Sequence, residues 1–205
     1  NLDERILSGF LNYSLEKEIN YHKGQYGEWD KNKFCRKIDY KNCGNIGDIR
    51  VTWEINRQQF LPYLALAYIN TNNYEYIRIL KKQFYKWIEE NKYLMGVNWN
   101  SPMEIAIRSY QWFITYYILR DSGEDKLRID LIKSIIGSIR HVRKNFSMHS
   151  SANNHLIIEA YITSIIGHYI NTIYKQDWFE YGYNQLKKHL KNQFFEDGVN
   201  KEQAL

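Results

Sequence analysis

The chain has 205 residues, enough for a medium-sized domain with a core of its own. Its 44% hydrophobic and 25% charged content is ordinary for a globular protein, and a formal charge of +5 suits an acidic partner. No arginine-rich helix or basic arm is visible, which speaks against nucleic acid, and no apolar run is long enough to span a membrane.

Leu2 to about Tyr21 carries Ile6, Phe10, Leu11, Leu15 and Ile19 near helical spacing. From about 22 to 50 the pattern fails. Gly24, Gly27, Gly44 and Gly47 punctuate a predicted loop, with short strand pieces expected near Phe34–Ile38. Cys35 and Cys43 lie in it; they lack metal-site spacing, and both a disulfide and two free thiols stay open. A helix is predicted over Arg57–Asn70, with Pro62 in its first turn, where a missing N–H is harmless. Tyr74–Asn91 follows. Ser101–Pro102 reads as an N-cap with proline at the first helical position, and Glu104 stands at capping-box spacing. That helix is expected to reach about Arg120, where Ser122–Gly123 breaks it. Three more are predicted over about Lys126–Phe146, Asn154–Tyr174 and Trp178–Phe195. About seven helices joined by short connections give an all-α chain. Their rhythm, a long polar connection and then a short turn, fits an incomplete α/α toroid (α/α barrel); a helical bundle would show the same periodicity.

Four polar clusters break the apolar pattern. They are Trp53-Glu54-Ile55-Asn56-Arg57; Asn98-Trp99 leading into Glu104 and Arg108; Asn153-Asn154-His155; and Asp197 to Gln203, with Glu202-Gln203 at its end. Each has a plain structural reading: an ion pair one helical turn apart, a cap, a core histidine or a turn. Together they supply one kind of chemistry, β-elimination on a uronic acid. The proton beside a sugar carboxylate is hard to remove, because the carbanion forms next to a negative group. Asn amides and His rings that hydrogen-bond the carboxylate lower that barrier. A Tyr or His then takes the proton, and an acid protonates the leaving glycosidic oxygen. No metal or other cofactor is required. Arg forks hold neighbouring acidic groups, and Trp rings stack on sugar faces.

In order and spacing, Trp53 to Arg57, Asn98-Trp99 with Met103 to Arg108, Asn153-Asn154-His155-Leu156, and Gln193 to Gln203 resemble the heparinase II/III-like polysaccharide lyases, including the alginate lyase-like group. The resemblance covers roughly Asp48 to Leu205. It implies a single N-terminal α/α toroid domain over 1–205 and a C-terminal β-sandwich domain that is not in this sequence. It implies lyase activity on heparan sulfate, heparin, alginate, hyaluronate or related uronic-acid chains, in the periplasm or outside the cell. The carboxylate-neutralising role falls on Asn154 and His155, with Asn153 as neighbour. Substrate contacts fall on Trp53, Glu54, Asn56, Arg57, Asn98, Trp99, Glu104, Arg108, Glu202 and Gln203. The family's catalytic tyrosine lies a few residues after the Glu-Gln pair, beyond Leu205, so the 205 residues alone are expected to be inactive. Ala204 departs from the serine common after that pair.

Two other readings stay open. An α/α-barrel glycoside hydrolase would need two facing carboxylates, for which Asp48, Glu54, Glu104 and Asp197 are available. A non-catalytic glycan-binding protein would show the same helices. The identity of the uronic acid and the oligomeric state are not written in the sequence.

Overall fold

The computed structural model describes residues 18–148, 154–193 and 198–199. Most of the predicted helix from Leu2 therefore lies outside the described residues, as do Asn153, Asp197, Glu202 and Gln203. Among the described residues there are seven α-helices and no β-sheet: α1 (Ile49–Asn56), α2 (Phe60–Thr71), α3 (Tyr74–Glu90), α4 (Pro102–Ile118), α5 (Asp125–Lys144), α6 (Asn154–Ile170) and α7 (Trp178–Gln193). The fold is all-α, and its joined helices have the element order of an incomplete α/α toroid. None of the described helices is long and apolar enough to cross a membrane.

The helix boundaries follow local chemistry. Ser101 Oγ accepts from the Glu104 N–H, and Pro102 opens α4, as the sequence predicts. Pro62 falls in the first turn of α2. That helix starts three residues later than expected. Gln58 takes a left-handed backbone, φ 55°, which separates it from α1. Asn72 ends α2 in the left-handed conformation, and the Asn73 side chain then accepts from the Glu75 N–H to open α3. Two adjacent asparagines thus make the tight turn that lets α2 and α3 pack together.

One helix is not among those predicted, and one expectation is corrected. The eight residues of α1 are helical, capped by the Asp48 side chain on the Arg50 N–H. Its buried face includes Thr52 and Asn56, so apolar periodicity does not reveal it. Near Phe34–Ile38 there is no strand. Phe34 makes one isolated antiparallel bridge with Met95, and Cys35–Lys37 is a single 3-10 turn. The glycine-punctuated segment is nonetheless ordered. Trp29 and Ile38 from it share a buried cluster with Ile49, Trp53 and Val97. Cys35 and Cys43 are free thiols.

The chain divides into two compact units. One is built from residues up to Asn100 with Gln111–Ile132, the other from Ser101–Tyr110 with residues from Lys133 onward. In the second unit α6 and α7 pack closely along their length. A Cβ on Gly167 would stand 2.6 Å from the Phe179 backbone nitrogen, and one on Gly182 would stand 2.7 Å from the Ala160 carbonyl oxygen. The two glycines are what let these helices approach so closely.

Candidate functional site

In the first unit two of the predicted site residues, Asn56 and Asn98, meet at the backbone carbonyl of Tyr21. The Asn56 amide donates to it at 2.8 Å and the Asn98 amide at 3.1 Å. Asn56 Oδ1 in turn accepts from Trp87 Nε1 at 2.7 Å. Asn98 Nδ2 also donates to Asn91 Oδ1, while Trp99 Nε1 donates to the Asn91 carbonyl. Trp53 Nε1 reaches the Val97 carbonyl at 3.3 Å. All four residues are buried: Asn56 and Asn98 are 1% exposed, Trp53 and Trp99 8%. The two amide nitrogens, Asn56 Oδ1 and the two indole N–H groups all bond to internal partners, as buried groups do. In this structure they tie the second half of α1 to Tyr21 and to the turn at Val97–Trp99.

Sequence reasoning missed the rest of this network. Tyr21 Oη donates to Gln83 Oε1 at 2.9 Å, and Trp112 Nε1 donates to Gln58 Oε1 at 2.6 Å. Burial raises the Tyr21 hydroxyl pKa well above its ordinary value, so it stays protonated and a donor. The signal was there in Gln58, a polar residue between two helices, but its partners lie dozens of residues away.

Glu54 and Arg57 are half-buried and form an ion pair at 2.7 Å, with Gln59 Nε2 also on the Glu54 carboxylate at 3.1 Å. A groove of about 520 Å³ in the same unit is lined by Asn20, His22, Trp29, Lys31, Lys86 and Glu90 among others, and by none of the predicted site residues.

In the second unit Glu104 and Arg108 lie one turn apart on α4 and are both buried. Burial pushes the Arg108 guanidinium down to about 9, against the opposing pull of the Glu104 charge. At neutral pH it still carries its proton. Asn154 and His155 form the first turn of α6, Asn154 exposed and His155 half-buried. That 17-residue helix has no acidic side chain in its first turn, so the positive end of its dipole is not neutralised from within. A helix N-terminus of this kind favours an anion, and an amide and an imidazole belong to the same turn.

One turn further along α6 is a residue the sequence reading passed over. Glu159 is fully buried and is the one carboxylate in this helix. Ser147 donates to it twice, through its backbone N–H at 2.8 Å and its hydroxyl at 2.7 Å. Burial raises the carboxyl pKa from the usual range to about 7, although the two Ser147 bonds pull the other way.

Two solved structures share this fold. The crystal structure of heparan sulfate lyase HepC from Pedobacter heparinus matches 97% of this chain at 19% identity, with a TM-score of 0.64. That of a HepC mutant from the same organism matches 93%, also at 19% identity, with a TM-score of 0.63. The match spans about a third of the solved chains, 31% and 32%. No curated protein matches this sequence. The family model described as heparinase II/III N-terminus, however, covers residues 4–205, nearly the whole chain, and this chain therefore belongs to that family.

Proposed function

We propose that this domain serves the β-elimination of a uronic-acid polysaccharide, with Asn154 and His155 receiving the sugar carboxylate. One observation carries the reading: an Asn–His pair stands on the first turn of a long helix whose N-terminus favours an anion, in a chain of the heparinase II/III N-terminus family. In the reaction the C–H bond beside the carboxylate breaks and its electrons form the new double bond. The glycosidic C–O bond breaks, and the leaving oxygen takes a proton. Negative charge grows on the carboxylate side as the proton leaves, and donors fixed there stabilise that state most.

Trp53, Asn56, Asn98 and Trp99 are buried and hold the backbone of the first unit, and Glu104 and Arg108 are buried in the second. Glu54 and Arg57, which are half-buried, are proposed contacts to substrate, as are Asn153, Glu202 and Gln203, which lie outside the described residues. The hydrolase alternative loses support, because Asp48 caps α1 and pairs with Arg50, Glu54 pairs with Arg57, and Glu104 is buried. Heparan sulfate is the first substrate to try, since HepC is a heparan sulfate lyase; alginate and hyaluronate follow.

The test is ultraviolet absorbance of the unsaturated uronate product, made by the full-length gene product from each polysaccharide. Turnover is expected on at least one. Asn154→Ala should lower kcat by about 100-fold or more, the scale for removing a donor to a developing oxyanion, without lowering the melting temperature. Binding without any unsaturated product would favour a glycan-binding protein, and an unchanged kcat in Asn154→Ala would reject the carboxylate role.

A further inference from the structure

Glu159 does no work in the mechanism above, yet it occupies an unusual place. It is 0% exposed, at the second buried position of a helix otherwise made of Leu, Ile, Ala, Thr, Ser and Gly on that side. Ser147, which belongs to the connection between α5 and α6, donates both of the hydrogen bonds that Glu159 accepts from among the described residues. Both oxygens are used, one on the backbone N–H and one on the hydroxyl. A buried carboxylate is costly unless its oxygens are satisfied, and a leucine would fill the same space without that cost. What the carboxylate adds is geometry: two bonds fix both the backbone and the side chain of Ser147 against α6. Asn154 and His155 stand at the beginning of the same helix, a little more than one turn before Glu159.

We infer that Glu159 is a positioning residue for the carboxylate site: through Ser147 it fastens the α5–α6 connection to the helix that carries Asn154 and His155, and so fixes where that helix starts and where its first turn points. This rests on the proposed role of Asn154 and His155. A sugar carboxylate needs its donors held to a fraction of an ångström, and such precision comes from a supporting set of hydrogen bonds around the contacting groups. The raised carboxyl pKa fits the arrangement, because a protonated Glu159 can accept from the Ser147 N–H and donate to its Oγ, keeping both links. Glutamine can do the same. Leucine can do neither.

The readout is a ratio that general loss of stability does not move. Equilibrium binding is measured for an unsaturated uronate disaccharide, the non-cleavable product of such an elimination, and for its carboxyl-reduced counterpart. The wild-type protein should prefer the carboxylate. Glu159→Leu should reduce that preference about fivefold or more, and Glu159→Gln should keep it within about twofold, the scale of losing or keeping one well-placed charge-assisted bond. Should Glu159→Leu fail to fold, Ser147→Ala decides: it removes only the hydroxyl link and should still reduce the preference. Asn154→Ala is run beside them. If Asn154→Ala abolishes the preference while Glu159→Leu and Ser147→Ala leave it intact, the positioning role is overturned and the carboxylate role stands. If Asn154→Ala leaves the preference unchanged, or the wild type has none, the carboxylate role fails and the positioning role falls with it.

Discussion

At the scale of single residues, the same side-chain chemistry serves two ends in this chain. Asn56 and Asn98 are asparagines in motif positions, and both are buried with their amides on the Tyr21 carbonyl. Asn154 is an asparagine in a motif position too, and it is exposed on a helix start. Burial separates the scaffold role of Asn56 and Asn98 from the binding role proposed for Asn154, and burial is a property of the folded chain. Glu159 shows how a buried group writes itself into stability. Its carboxyl pKa is about 7 in the folded protein and near the ordinary carboxylate value when unfolded. A raised folded pKa means that the folded state binds the proton more tightly. The group's contribution is therefore most favourable below the unfolded pKa and is lost as pH rises through about 7. Above that, carrying the buried charge costs up to about 3 kcal/mol relative to the neutral form. Urea unfolding at pH 5 and pH 8 checks this: Glu159→Gln, which carries no charge, should gain stability over wild type at pH 8 and gain little at pH 5. An equal difference at the two pH values would place the cost elsewhere.

Elements were legible where their ends are set by neighbouring residues. Ser101–Pro102 and Ser122–Gly123 mark boundaries by local rules, and the structure has boundaries there. The misreadings have long-range causes. Helix α1 puts Thr52 and Asn56 on its buried face because their partners, Trp29 and Tyr21, arrive from the preceding segment. Gln58 breaks the chain between α1 and α2 while its side chain serves Trp112, 54 residues away. No window of a dozen residues contains those facts. The packing of α6 on α7 gives a sharp test at this scale. Gly167→Ala would push a methyl into the Trp178–Phe179 backbone, which cannot yield like the end of a flexible side chain. It should destabilise by about 1–3 kcal/mol, the usual cost of overpacking. Gly137 lies in α5, exposed, with nothing within 4 Å of an added Cβ. Gly137→Ala should therefore stabilise by about 0.5–1 kcal/mol through helix propensity alone. Chemical denaturation of both variants reads the two signs, and a stabilising Gly167→Ala would mean that α6 and α7 are not so closely packed.

For the whole molecule, the sequence disclosed the family and the all-α fold before it disclosed the working surface. The clusters Trp53 to Arg57 and Asn98-Trp99 were conspicuous because polar and aromatic residues crowd there, and that crowding reflects a buried network at least as much as a sugar site. Asn98 meets Tyr21 across 77 residues of sequence, a pairing that composition and spacing do not encode. Charge is the property that was legible from the start, and it acts at this scale. The chain carries 28 Lys and Arg against 23 Asp and Glu, a net +5. Several basic side chains are already paired: Arg57 with Glu54, Arg78 with Glu75, Lys81 with Glu124 and Arg143 with Asp177. Such pairs near the surface contribute about 0–1 kcal/mol each, so salt should hardly change folding stability. Recruitment of the proposed acidic polysaccharide would differ, because it would depend on the unbalanced charge acting over distances comparable to the Debye length, about 10 Å at 0.1 M and about 3 Å at 1 M. Binding should lose about one decade of affinity per decade of salt for each condensed counterion released, while the melting temperature stays nearly constant. Titration of heparan sulfate and of a neutral glucan into the protein at low and high salt separates the contributions. An affinity that ignores salt, or a neutral glucan bound equally well, would mean that the positive excess has no part in attracting the substrate and that recognition rests on shape and stacking alone.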